Sequence, residues 1–210
     1  MKTEKSTPAL HWFAVLTAVA TFFLIIAGGL VTSTDSGLAV PDWPLSYGQL
    51  MPPMVGGIFY EHGHRMVATL VGILTSILTL WLWKQEDRLW VKVLGLIALL
   101  AVIVQGILGG ITVLYLLPTW VSVSHATLAQ SFFSLTIILA LITSDSWKAK
   151  IPKQTSHAGT TQRLAVATSG VILLQLILGA WMRHSGSGLA IPDFPLSYTN
   201  WLPPTGSSDM

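Results

Sequence analysis

The chain has 210 residues, of which 52% are hydrophobic and only 10% charged, whereas soluble domains carry about 25% charged residues. Its 11 basic and 9 acidic residues leave a net charge of +2 and its mean hydropathy is +0.65, which excludes a basic nucleic-acid-binding face, disorder and collagen. Cysteine is absent, which excludes disulfides, thiolate zinc sites and haem attached through a C-x-x-C-H motif.

An integral membrane protein remains, and the elements along the chain fit one. Five apolar stretches reach the roughly 20 residues that a membrane helix needs: Leu10–Val31, His64–Trp83, Trp90–Leu116, Val121–Thr143 and Leu164–Met182. None alternates with period two, so the fold class is all-α rather than a membrane barrel. The first stretch lacks a small-residue cleavage site and reads as a retained span. Lys2, Lys5, Lys84, Arg88, Lys92, Lys148, Lys150, Lys153 and Arg163 lie on alternate loops, with only Arg65 and Arg183 opposite them. Positive residues stay inside. The N-terminus is therefore expected inside and the segments 32–63, 117–120 and 183–210 outside. Trp81, Trp83, Trp90, Trp120 and Trp147 mark span ends, where interfacial aromatics belong.

The first outer loop is long and rich in proline and glycine, so it is either functional or disordered. Asp42 and Trp43 within it are placed to contact a ligand or to fix a turn. The second span opens on Glu61-His62-Gly63-His64-Arg65. Ionisable groups at membrane depth are costly, and each is a functional hypothesis by default. On a helix Glu61, His64 and Arg65 share one face. His62 points about 200° away from His64 and reads as an interfacial bystander. Arg65 suits either a carboxylate of a ligand or interfacial snorkelling. Gln105-Gly-Ile-Leu-Gly-Gly-Ile-Thr112 ends the third span. Its glycines permit close helix approach or make room for a flat ligand. His125 lies in the first turns of the fourth span. The second and fourth spans run in the same direction, so His64 and His125 sit at similar depth. Two such imidazoles suit the axial positions of a haem in a helix bundle. Zinc suits them less, because it wants further ligands at close range.

Ser36–Tyr47 and Ser187–Tyr198 agree at ten of twelve positions with an offset of 151, which also carries Pro52-Pro53 onto Pro203-Pro204. Four spans separate the copies, so the repeat is parallel. The expected organisation is a four-helix half over residues 1–150, followed over 151–210 by the first helix and outer loop of a second half. Glu61 shifted by the offset falls just beyond residue 210. The chain is therefore expected to be a truncated gene or a fragment, with a true five-span protein as the alternative.

The motifs G-G-L-V-T-S-T-D-S-G-L-A-V-P-D-W-P-L at 28–45, E-H-G-H-R at 61–65, Q-G-I-L-G-G-I-T-V at 105–113 and S-H-A-T-L-A-Q at 124–130 together resemble the haem A synthase family. The resemblance implies an oxidoreductase of two four-helix halves in a multi-pass inner (plasma) membrane protein. Such an enzyme oxidises a methyl group of haem O to the formyl group of haem A by successive hydroxylations, for cytochrome c oxidase assembly. It implies His64 and His125 as the iron-binding histidine pair of the first, substrate half, and Glu61 as the catalytic glutamate. Arg65, Asp42 and Trp43 are expected propionate or outer-loop contacts. A haem b cofactor is implied for the second half, and His184 is not its ligand. The cysteine pair that some relatives carry in the first outer loop is absent here. Implied partners are the haem O substrate, membrane lipid, haem O synthase, oxidase assembly factors, a redox partner and a further copy of the chain. The competing expectations are a cytochrome b-type membrane electron carrier and an inactive truncated duplicate.

Overall fold

A computed structural model of the chain describes residues 8–149, 158–191, 193, 196, 197, 200 and 201. Lys2, Lys5, Lys150, Lys153, the boundary expected at residue 150 and Pro203-Pro204 lie outside the described residues. The helices are α1 (Pro8–Ser33), α2 (Gly57–Gln85), α3 (Leu89–Leu114), α4 (Thr119–Thr143), a short α5 (Asp145–Lys148) and α6 (Ala158–His184), followed by a 3-10 turn at Ser187–Leu189. Five of them are long and apolar enough to cross a membrane. The protein is an all-α, multi-pass membrane protein. The observed α2 begins seven residues before the expected span, so the whole Glu61–Arg65 motif is helical.

The helices are built inside out relative to a soluble bundle. Trp12, Phe23, Leu80 and Leu100 face outward, while Ala14, Thr17, Ala18, Thr21, Thr75, Ala98 and Thr136 are buried. Lipid tails are as apolar as leucine, so small residues that let backbones approach gain more at helix contacts. Buried threonines are satisfied locally. The Thr21 hydroxyl donates to the Thr17 carbonyl at 2.8 Å, and Thr75 donates to Val71 at 2.8 Å. The one hydroxyl proton of Thr79 is shared between the Thr75 carbonyl of its own helix and the Gly95 carbonyl of α3, each at 2.9 Å. Gly95 permits that approach, since a Cβ there would stand 2.9 Å from the Leu82 side chain.

Contacts run α1 to α2, α2 to α3, α3 to α4 and α4 back to α1. The four helices form a closed square, with α2 and α4 at opposite corners. The apolar core fills only one end of it: Leu10 and Ala14 of α1, Val71, Leu78 and Leu82 of α2, Val91 and Ala98 of α3, and Phe132, Leu139 and Ile142 of α4. These positions lie in the halves of the helices away from the long 34–56 loop. At the core end Arg88 grips Glu86 through two bonds of 2.8 and 2.7 Å and donates to the Ile142 carbonyl at 2.9 Å. Burial alone would raise the Glu86 carboxyl, but the bonds from Arg88 outweigh it and hold the group below its ordinary value.

The sequence repeat has a structural counterpart. Ser46 and Gln49 form an isolated antiparallel bridge, and so do Ser197 and Asn200, each shifted by 151. Arg183 at the end of α6 donates to the Thr32 carbonyl at the end of α1 at 2.8 Å, a separation of 151 residues. Those two helix ends therefore lie together, and the repeat is parallel. The long helix α6 packs along α4.

Candidate functional site

The end of the square toward the 34–56 loop holds His64, His125, Glu61 and Arg65. His64 on α2 and His125 on α4 stand on opposite corners of the square, both toward its loop end. Each lies within about two turns of its helix start, roughly 10 Å down the axis. Each ring is seated on a glycine of a neighbouring helix. A Cβ on Gly28 of α1 would stand 3.1 Å from the His64 ring, and one on Gly109 of α3 would stand 3.4 Å from the His125 ring. These glycines, ambiguous in the sequence, make room for imidazoles.

The Nδ1 atoms of both histidines are buried and have no hydrogen-bond partner. Buried polar atoms are normally paired, so two unpaired imidazole nitrogens on opposite helices are a donor set that could hold a haem iron. Among the described residues no three His, Asp or Glu side chains converge as metal ligands, so the further ligands that a zinc site wants are not brought together there.

Glu61 is buried, but it does not bond to His64. One oxygen accepts from the backbone N–H of Val40 at 2.7 Å, and the other accepts from Arg65 at 2.6 Å. Arg65 donates further to the carbonyls of Val40 at 3.1 Å, Asp42 at 2.7 Å and Leu45 at 3.0 Å. Arg65 thus fastens the long loop over the helix ends, which neither a propionate contact nor snorkelling anticipated. His62, expected to be a bystander, is buried, and its Nδ1 meets the Ser46 hydroxyl at 2.8 Å. The signal that the spacing missed is that the loop folds back over both faces of α2.

Asp42 fixes a turn. Its carboxylate accepts from the N–H groups of Tyr47 at 2.7 Å and Gly48 at 2.8 Å. Both residues have positive φ, 53° and 69°, as a tight two-residue hairpin turn requires. Trp43 packs onto α3, where a Cβ on Gly110 would stand only 2.7 Å from the indole. Bonds from Gly48 and Tyr47 hold the Asp42 carboxyl below its ordinary value. A depressed folded value means a contribution present above the unfolded value and lost as pH falls through the folded one. Acidification below the usual carboxylate range of about 4 should therefore loosen the turn and shift Trp43 fluorescence. Asp42→Ala should show the shifted emission at neutral pH and no acid transition in that range.

The family model described as cytochrome oxidase assembly protein matches residues 11–58 and 55–209, nearly the whole chain. The chain belongs to this COX15-CtaA family. Within it, the chain is similar to the haem A synthase of Bacillus licheniformis, with 29% identity over 202 residues, 93% of this chain and 66% of that protein. The haem A synthase of Lysinibacillus sphaericus is 31% identical over 193 residues, 90% of this chain and 62% of the relative. That of Geobacillus kaustophilus is 30% identical over 202 residues, 93% and 63%. The chain thus spans a little under two thirds of the length of these relatives. As a COX15-CtaA member it carries the half-buried His64 and His125, with Glu61 and Arg65, at one end of a single four-helix square.

Proposed function

We propose that this four-helix square is the haem O site of a haem A synthase-type oxidoreductase. The observation that carries the reading is the pair of unpartnered Nδ1 atoms on His64 and His125, set across the diagonal on glycine-backed rings. The macrocycle substrate would be held by these two imidazoles. When bound, its iron would supply the redox chemistry that side chains lack. The chain's residues bind, orient and manage protons. Glu61 lies one turn before His64 on α2, and its carboxylate keeps lone pairs not used by Val40 and Arg65. It would take a proton released as the substrate methyl is hydroxylated by water, with the two electrons leaving to an external redox partner. The loop clasped by Arg65, with Trp43 against Gly110, covers the site and restricts water. In this reading the loop end faces outward and the N-terminus inward, because Lys84, Arg88, Lys92, Lys148 and Arg163, five of the seven described basic residues, fall at the opposite end. Haem O synthase, oxidase assembly factors and a redox partner are the proteins it would meet.

The test is to express the chain in cells that make haem O, purify it and extract its haems. Haem O together with haem A or a hydroxylated haem supports the enzyme reading. Haem B alone supports a membrane electron carrier instead. A protein free of haem would overturn the histidine-pair reading.

A further inference from the structure

We infer that Gln105 reads the substrate: its amide oxygen accepts a hydrogen bond from a hydroxyl on the apolar edge of the macrocycle. The inference rests on the proposed haem O site and adds how that site tells haem O from haem B.

Gln105 lies on α3, one helical turn or about 6 Å further from the loop end than Gly109, whose neighbour is the His125 ring. Its Nε2 donates to the His125 backbone carbonyl at 3.1 Å. That bond fixes which way the amide points, because only the NH2 group can donate. The other end, Oε1, is buried and has no partner. An unpaired buried acceptor costs free energy, and an apolar residue would fill the position in a membrane helix without that cost. The His125 carbonyl also belongs to the backbone ladder of α4, so it does not depend on Gln105 for a donor. What remains unexplained by the fold is the amide oxygen.

The chemistry of the ligand supplies a donor at this depth. The two propionates of a haem are carboxylates, which avoid the apolar interior and take the polar loop end. With the iron between His64 and His125, the opposite edge then points toward the level of Gln105. In haem B that edge carries vinyl groups. In haem O one vinyl is replaced by a hydroxyalkyl arm, whose hydroxyl needs an acceptor once it leaves water. Thr127 is the other unpartnered polar side chain near this level, but it sits about 200° around α4 from His125. Gln105 is bonded to the His125 residue itself.

The test uses two iron porphyrins that differ in hydroxyl content and lack the long arm. Protohaem carries vinyl groups, and haematohaem carries 1-hydroxyethyl groups in their place. The purified full chain is titrated with each, and binding is followed through the low-spin bis-imidazole spectrum. The wild type is expected to favour haematohaem. Gln105→Leu should move the ratio of the two dissociation constants by about five- to tenfold toward protohaem, the range of one neutral hydrogen bond, with the spectrum intact. Gln105→Met, unbranched and adaptable, gives the same readout should the leucine variant fold poorly. A ratio unchanged in the variants, or equal weakening of both ligands, overturns the inference and leaves the haem site standing. A wild type that gives the low-spin spectrum with neither ligand overturns the haem site and this inference together.

Discussion

Replacing either His64 or His125 with alanine should abolish the low-spin haem spectrum and weaken haem binding by about a hundredfold or more, as loss of roughly 3 kcal/mol implies. Each substitution removes one of two imidazoles whose buried Nδ1 has no partner. Each also leaves a space bounded by a glycine, Gly28 on one side and Gly109 on the other. Added imidazole should enter that space and restore the low-spin spectrum, which a merely misfolded variant would not show. His62→Ala is the control within the same helix turn. It breaks the bond to Ser46 and loosens the loop, but should leave the spectrum low-spin. His184→Ala, at the end of α6, should do the same. Retention of a bis-imidazole spectrum in both the His64 and His125 variants would sink the assignment.

The sequence carried the helices because apolar runs of that length leave little else to form, and the five expected spans all appear. It also carried the similar depth of His64 and His125, because depth follows from helix direction and register. The roles of Glu61 and Arg65 were harder to read. Helical spacing put Glu61 beside His64, yet the carboxylate turned to Arg65 and to the N–H of Val40, twenty-one residues away. Spacing along one helix cannot show what a loop will bring to it. The same holds for His62, which looked idle on the helix wheel until the loop supplied Ser46. Asp42 read equally as a ligand contact or a turn former, and its bonds from Tyr47 and Gly48 favour the turn. The partner of Trp43, Gly110, required the tertiary fold.

Glu61→Gln separates the two things Glu61 does. The glutamine oxygen can still accept from the Val40 N–H or from Arg65, so much of the clasp survives while the proton-accepting carboxylate is gone. Haem should stay bound with its low-spin spectrum, and formation of hydroxylated haem and haem A should fall by about a hundredfold or more, the usual worth of a positioned base. Arg65→Ala is the complementary change. It releases three loop carbonyls and leaves Glu61 buried without its cation, which is the costlier loss for a buried pair. Its expected signature is a moved loop, read as a shift in Trp43 emission, together with weakened haem binding. Glu61→Gln should leave that emission near the wild-type position. If Glu61 acted only as a loop anchor, the pattern would invert: Glu61→Gln would keep most of its turnover, while Arg65→Ala lost it. Turnover measured beside Trp43 emission in both variants therefore decides whether the carboxylate takes a proton or only holds the loop.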